Sequence, residues 1–437
     1  MPAAARRFCV GTRLRTFALG GIAIVAIAVL AGCGSTTART DASPPPTSGA
    51  ANPPPAPQAV PRADAAALRH GNARFAGRLL ATLARGPQNI ALSPASISQA
   101  VSMAFAGARG KTASQIASAL DFTLPPARLG AAFDAVDTSL ATGVDGPGAT
   151  LSLANAMYGQ SGLRFRRAFL RVIARDYGAG LRTADFARAP EEARAEINAW
   201  VSVQTKGKIP QLMRPGDVDQ TTRMVLVNAV YLHAKWLDPF SHDDTFAAPF
   251  HAPAGTVKVP TMHQTGGFGY VEGSGYQALE LPYQGGRLAF DVLLPSPGGY
   301  GSLISRLDGE GPLPLLAGLR QTQVAVALPK FRLTTHIELA DALKTLGMRL
   351  AFEPGLADLS GIAGVPGYLY VHSVVHEAYL SVDEAGTEAA AATGTGISST
   401  AAPLPPRTKF IADRPFVFVL RDTKTGAVLF MGGVSHP

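Results

Sequence analysis

Few residues in this chain stand at spacings that catalysis uses. Gly107-Ala108-Arg109-Gly110-Lys111-Thr112 carries the lysine and threonine of a phosphate-cradling loop, but Phe105 stands where the first glycine of that pattern belongs. The segment reads instead as a turn between two helices. His376-Glu377 is followed by Ala378, Tyr379 and Leu380, so the second histidine of a zinc-binding helix is missing. Ser274, in Gly273-Ser274-Gly275, lacks the spacing of a nucleophile elbow. Nothing in the sequence gathers the nine histidines and the serines into a triad. No catalytic residue, metal site or cofactor is expected, and the chain is not expected to be an enzyme.

Material for a large core is present. The 437 residues are 47% hydrophobic and 16% charged, enough for one large domain or two ordinary ones. Its 46 glycines and 34 prolines supply the turns of a strand-rich body. The formal charge of +8 overstates the basicity of that body. Arg6, Arg7, Arg13 and Arg15 precede residue 33 with no acid among them, which leaves +4 for the rest. No basic stripe interleaves with aromatics, so nucleic acid is not an expected partner.

The N-terminus has the parts of an export signal. A basic leader at residues 6–15 precedes an apolar run at 17–30, too short to span a bilayer comfortably. It ends in Leu30-Ala31-Gly32-Cys33, which resembles the lipobox of bacterial lipoproteins. That resemblance implies a signal peptide at residues 1–32, with Cys33 acylated as the first mature residue. Cys9, the other cysteine, lies in the leader, so the exported chain would hold no free thiol and no disulfide. Gly34, where an inner-membrane retention signal would usually carry Asp, points to an outer surface. Residues 33–62 read as a tether, with Pro44 to Pro46, Pro53 to Pro55, Pro57 and Pro61 among small residues. The expected location is outside the cytoplasm, held to the membrane by the N-terminal lipid.

The body begins at residue 63. Leu68, Phe75, Leu79 and Leu83 recur at helical spacing, and Gly86-Pro87 stops the helix. Residues 89–92 form a short apolar strand. Ser93-Pro94 then opens a helix, with Ser93 as cap and Pro94 at the first position. Residues 224–236 are apolar on both alternating faces, as in a strand covered on two sides. Further strands are expected at 323–333 and 368–382, a short helix at 339–346, and a hairpin of 415–420 and 427–434 about a turn that bears Gly426. Helices come early and strands late, which favours an α+β fold.

One stretch breaks this pattern. Residues 384–402, rich in alanine, threonine and glycine, have the composition of a linker, yet only 35 residues follow residue 402 and those are strand-like. Thr387, Ala389, Ala391, Thr393, Thr395 and Ile397 would share one face of a strand, all small or apolar and uncharged. Such a segment can stand exposed or enter a sheet without burying a charge.

Here the chain resembles a known family. Glu384 to Thr393 looks like the hinge of the inhibitory serpins. Phe410-Ile411-Ala412-Asp413-Arg414-Pro415-Phe416-Val417-Phe418 is similar to their C-terminal signature, as is Leu429-Phe430-Met431-Gly432-Gly433-Val434. Asn228-Ala229-Val230-Tyr231 with Lys235-Trp236 and Pro239-Phe240, Asn89-Ile90 with Ser93-Pro94 and Ser96, Asp358-Leu359-Ser360-Gly361-Ile362, and Val375-His376 complete the set.

The resemblance implies a metastable α+β serpin fold over 63–437, with three β-sheets, about nine helices and an exposed reactive-centre loop at about 384–406. It implies a monomer whose partner is a serine protease, held as a covalent acyl complex when the cleaved loop inserts into the central sheet. The hinge would be Glu384, Gly386, Thr387, Glu388, Ala389, Ala390, Ala391, Ala392 and Thr393. Ser93, Ser96, Asn228 and His376 would form the shutter where the sheet parts, and Trp236 the breach where insertion begins. Family spacing counted from Glu384 puts the reactive bond after Thr400; counting back from Pro415 gives Ala401, or Leu404 if the prolines at 405 and 406 are the guide. All three are small or aliphatic, which suits an elastase-like or subtilisin-like target better than a trypsin-like one. Ala385 and Glu377 depart from residues the family often carries, without touching the buried face. The alternative is a non-inhibitory serpin serving as a surface binding protein.

Overall fold

A computed structural model describes residues 60–84, 86–143, 148–178, 181–387 and 408–437. Residues 1–59, which include Cys33, lie outside the described residues, as do residues 388–407.

The first third of the body is helical. α1 (Arg62–Leu83) follows Pro61 and buries Leu68, Phe75, Leu79 and Leu80. The short strand β1 (Ile90–Leu92) leads into α2 (Pro94–Gly107), α3 (Gly110–Ala119) and α4 (Pro126–Gly143). Arg128 of α4 closes on Asp64 in the first turn of α1, where a carboxylate also favours the helix dipole. Pro94 takes the first position of α2, which suits a residue without an amide hydrogen. Ser93 holds the cap position, but its side chain makes no capping bond. Its Oγ finds no partner among the described residues, a departure from the expected cap.

Strands dominate afterwards. β2 (Ala149–Gln160), α5 (Arg167–Asp176), β3 (Arg182–Ala184), α6 (Pro190–Gln204) and β4 (Met224–Lys235) come first. β5 (Thr245–Ala252), β6 (Gly255–Gly273), β7 (Tyr276–Pro282) and β8 (Leu288–Pro295) follow, then α7 (Tyr300–Glu310) and α8 (Leu313–Leu316). β9 (Arg320–Pro329), β10 (Phe331–Glu338), α9 (Ala340–Thr345), β11 (Ser373–Val382), β12 (Gly386–Thr387), β13 (Thr408–Ile411), β14 (Phe416–Asp422) and β15 (Val428–Val434) complete the chain. Nine α-helices are present among the described residues.

The fold is α+β. One sheet has six strands in the order β10-β11-β12-β4-β2-β3, and the other has nine. The resemblance implies three sheets, whereas hydrogen bonding among the described residues forms two networks. β6 is the reason: 19 residues long, it pairs with β5 and β9 and continues unbroken into pairing with β7.

Two strand expectations change. The strand expected at 323–333 is two, because Pro329 has no amide hydrogen and the chain leaves the nine-stranded sheet there; β10 then joins the six-stranded one. The strand expected from 368 starts at Ser373, since turns at Gly364 and Gly367, both with positive φ, occupy the approach.

Between the sheets lies an aromatic core. Phe290 stacks on Phe418 with ring centroids 5.5 Å apart, and Phe331 packs against both. One charge group is buried beside it. Asp291 on β8 is fully buried and takes a 2.8 Å bond from Arg421 Nε on β14, which also reaches Glu280 on β7. Burial pushes the Asp291 carboxyl up to about 7 even with Arg421 present. An Arg421→Met chain is therefore expected to lose about 3 kcal/mol of stability, because Asp291 is left buried and unpaired. The urea unfolding midpoint measures this, and an Asp291→Asn, Arg421→Met double variant is expected to recover part of it.

Candidate functional site

β4 and β11 are parallel neighbours at the centre of the six-stranded sheet. They pair from Val225 with Ser373 to Tyr231 with Tyr379. Beyond that point they part, although β4 runs on to Lys235 and β11 to Val382. Gly386 and Thr387 occupy the gap. Thr387 pairs with Val382 on one side and Ala234 on the other, and Gly386 pairs with Lys235, antiparallel to both strands.

Only glycine fits the first of these positions. Gly386 has φ +153°, and a Cβ there would stand 2.0 Å from the Ala234 carbonyl oxygen. Thr387 is fully buried, its Oγ1 2.5 Å from the Tyr283 hydroxyl. Tyr283 stacks on Trp236 at 4.5 Å between ring centroids. Trp236 in turn donates from Nε1 to the Asp383 carbonyl at 2.9 Å. Backbone amides of Trp236 and Phe240 donate to the carbonyls of Ala385 and Glu384. The segment 383–385 is thus strapped to the end of β4, while the chain after it enters the sheet.

Glu384 is buried at the same place, 2.7 Å from Lys330 Nζ and 3.4 Å from His242 Nδ1. Burial pushes its carboxyl up, but the bond and charge of Lys330, with bonds from its own backbone amide and the Thr245 hydroxyl, together hold it below the usual range.

Lower in the sheet a polar network crosses the seam. His376 on β11 lies opposite Asn228 on β4 and is fully buried. Its Nε2 accepts the Ser93 amide at 3.2 Å, so the other ring nitrogen, Nδ1, carries the hydrogen and donates to Asn228 Oδ1. Asn228 Nδ2 reaches Ser96 Oγ and Asn155 Oδ1, and Ser96 donates to Asn155 Oδ1 at 2.7 Å. Asn155 Nδ2 donates to Gln99, and Gln99 to Asp137. The N-terminal turn of α2 therefore ties together three strands, β11, β4 and β2. Burial, with His336 nearby, lowers the His376 pKa to about 3, so the ring is neutral.

These two clusters contain Ser93, Ser96, Asn228 and His376 in one, and Trp236, Glu384, Gly386 and Thr387 in the other. Glu388, Ala389, Ala390, Ala391, Ala392, Thr393, Thr400, Ala401, Leu404 and Cys33 lie outside the described residues. Glu377 pairs with His336 at 3.2 Å, and Ala385 is buried.

A model of the Serpin (serine protease inhibitor) family matches residues 70–437. The leukocyte elastase inhibitor of Bos taurus is 39% identical over 384 residues, covering 85% of this chain and 99% of that one. The chain belongs to the serpin family. An uncharacterised serpin-like protein of Thermococcus kodakarensis is 39% identical over 364 residues, covering 83% of this chain and 84% of that protein. Among solved structures, the thermophilic serpin tengpin in its native state superposes with a TM-score of 0.79 at 27% identity, covering 88% of this chain and 97% of that one.

Three residues of this serpin's site escape sequence reasoning: Tyr283, Lys330 and Asn155. Tyr283 and Lys330 meet this segment from just beyond the ends of β7 and β9, and no local spacing marks them. Asn155 has a signal. Asn155-Ala156-Met157-Tyr158 echoes Asn228-Ala229-Val230-Tyr231, and the two strands pair with Asn155 opposite Asn228.

The buried histidine gives a pH dependence. An unfolded chain titrates His376 near its ordinary value of 6.5, whereas the native one stays neutral to about 3. The unfolded state takes the proton first as pH falls, so stability present above 6.5 is lost progressively between 6.5 and 3, at up to ~1.4 kcal/mol per pH unit. Between pH 7 and 5.5 the native protein should lose about 1 kcal/mol more than a His376→Gln variant, measured by urea unfolding at both pH values. Equal losses in the two proteins would show that His376 titrates normally in the fold.

Proposed function

We propose that this serpin inhibits a serine protease irreversibly, as a substrate that traps the enzyme attacking it. The observation that carries the reading is the seat of Gly386 and Thr387 between β4 and β11. Continued in the same register, residue 387 + n faces residue 234 − n of β4. Thr393 would then face Asn228, and Ile397 would face Met224, the first residue of the strand. Thr387, Ala389, Ala391, Thr393, Thr395 and Ile397 share one face of that strand, which can be buried without burying a charge. A reactive bond after Thr400 or Ala401, or after Leu404, lies just beyond the last residue to pair.

The chemistry is an interrupted hydrolysis. The protease serine Oγ adds to the carbonyl carbon of the reactive residue. The peptide bond breaks, and the amine of the next residue leaves with a proton. The new C-terminus stays on the enzyme as an ester. Insertion of the freed strand then drags the enzyme away and distorts its site before water can cleave the ester. The small or aliphatic reactive residue suits an elastase-like or subtilisin-like enzyme, in keeping with relatives named leukocyte elastase inhibitors. We further propose that the chain is exported and lipid-anchored through Cys33, on the strength of Leu30-Ala31-Gly32-Cys33 and the leader before it.

Mixing the purified protein with elastase-like, subtilisin-like and trypsin-like proteases tests the inhibitor reading. A complex that survives denaturing electrophoresis, with release of a C-terminal peptide beginning near Ala401, is the expected outcome for the first two. A Thr387→Arg variant should be cleaved at the same bond yet form no complex, since its guanidinium cannot be buried against Tyr283. Cleavage of the native chain without a complex, by every protease, would sink inhibition and favour a surface binding protein. For the anchor, cells fed labelled palmitate should label the native chain and leave a Cys33→Ala variant unlabelled; label on both would refute acylation at Cys33.

A further inference from the structure

A cavity of about 500 Å³ lies beside the polar network, walled by α1, α2, α4, β2 and the turn that joins β14 to β15. Its size falls within the ordinary range of small-molecule sites, and its buried lining is mostly apolar, led by Leu68, Phe133, Leu140 and Leu429, with Asn72, Ser96 and Gln99 among them. Its exposed lining is basic. Arg62 and Lys424 are exposed and Arg69 is half-buried. None of the three has a carboxylate partner among the described residues, whereas Arg128, Arg287 and Arg421 each have one. Arg69 is held in place by close packing: a Cβ on Gly426 in the β14–β15 turn would stand 2.3 Å from Arg69 Cδ.

Among the described residues the only acid in the lining is Asp137, and it is turned to Gln99, whose amide donates to it. Burial raises that carboxyl to about 7, so near neutral pH it carries only part of its charge. The lining thus combines an apolar interior with two or three unneutralised cations at its solvent side.

We propose that this cavity binds an amphipathic anion, a single alkyl chain ending in a carboxylate, with the tail among Leu68, Phe133, Leu140 and Leu429 and the head at Arg69 and Lys424. The cations give the head its sign; the hydrocarbon gives most of the affinity, as burial of each methylene removes apolar surface from water. Ser96 and Gln99 belong to this lining and to the network across the seam, so a bound tail packs directly against groups that tie the sheet closed.

Calorimetric titration of the full chain with decanoate, below its micellar range, tests the site. Saturable binding of one equivalent is expected, with a melting temperature that rises with ligand concentration. Decyltrimethylammonium, with the same tail and the opposite head, should not bind at matching concentrations. Arg69→Glu with Lys424→Glu should weaken decanoate about tenfold, the scale of two partly screened ion pairs. Ala66→Trp, which places an indole in the lining from α1, should abolish binding. Equal binding of both heads, or decanoate affinity untouched by the charge reversals, would overturn the anion site. Binding that survives Ala66→Trp in a folded protein, or no binding at millimolar decanoate, would overturn the cavity as its location.

Discussion

Parallel neighbours in a sheet normally stay paired along their whole common length, and β4 and β11 do not. They hold together over residues 225–231 and 373–379, then separate around a two-residue strand of opposite direction. Everything distinctive in the molecule answers to that fork. The upper half, which accepts a further strand under the proposed mechanism, is built of a glycine, a small polar residue and flat aromatic surfaces. The lower half is crossed by hydrogen bonds from three strands and the start of a helix.

The two halves use polarity in opposite ways. At the fork, Glu384 is charged and buried, and Lys330 compensates it from the stretch between β9 and β10. That pair anchors the chain just before it enters the fork. At the seam the polar groups are neutral. His376 can accept the Ser93 amide only without a proton on Nε2, and a second proton there would break the bond while adding a buried charge. Neutral hydrogen bonds of this kind are each worth about 1 kcal/mol net, enough in sum to hold a seam and few enough to be undone.

Much of this was legible in the sequence, and the reasons differ by element. Helix α1, strand β4 and the β14–β15 hairpin follow from apolar periodicity and from Gly86, Pro87 and Gly426 as stops. The break at Pro329 was misread, because both sides of it are strand-like and only the change of sheet separates them. Within the site, His376 and Asn228 are 148 positions apart and are joined by resemblance alone. Tyr283 meets Thr387 across 104 positions with no motif to announce it. Asn155 could have been found, since its four-residue echo of the Asn228 segment is what two adjacent strands facing one buried network would share.

The energetics of the fork favour movement in one direction. On the proposed insertion, residues 388 and 389 would face 233 and 232, where β4 and β11 are already apart, and each residue from 390 on would replace one parallel pairing by two antiparallel ones, one on each side. Backbone donors and acceptors of the entering strand would gain partners in the process, and antiparallel ladders are slightly the more stable kind. Under the proposed mechanism the first two residues are already seated, so the costly nucleating step has been taken before any protease arrives. What opposes further insertion is the seam network and the hold that β13 keeps on the far end of the loop through its pairing with β9. A protease that cuts between Thr387 and Thr408 removes the second restraint. On that mechanism the strand then works against the seam, and the neutral network around His376 is a barrier that has to yield.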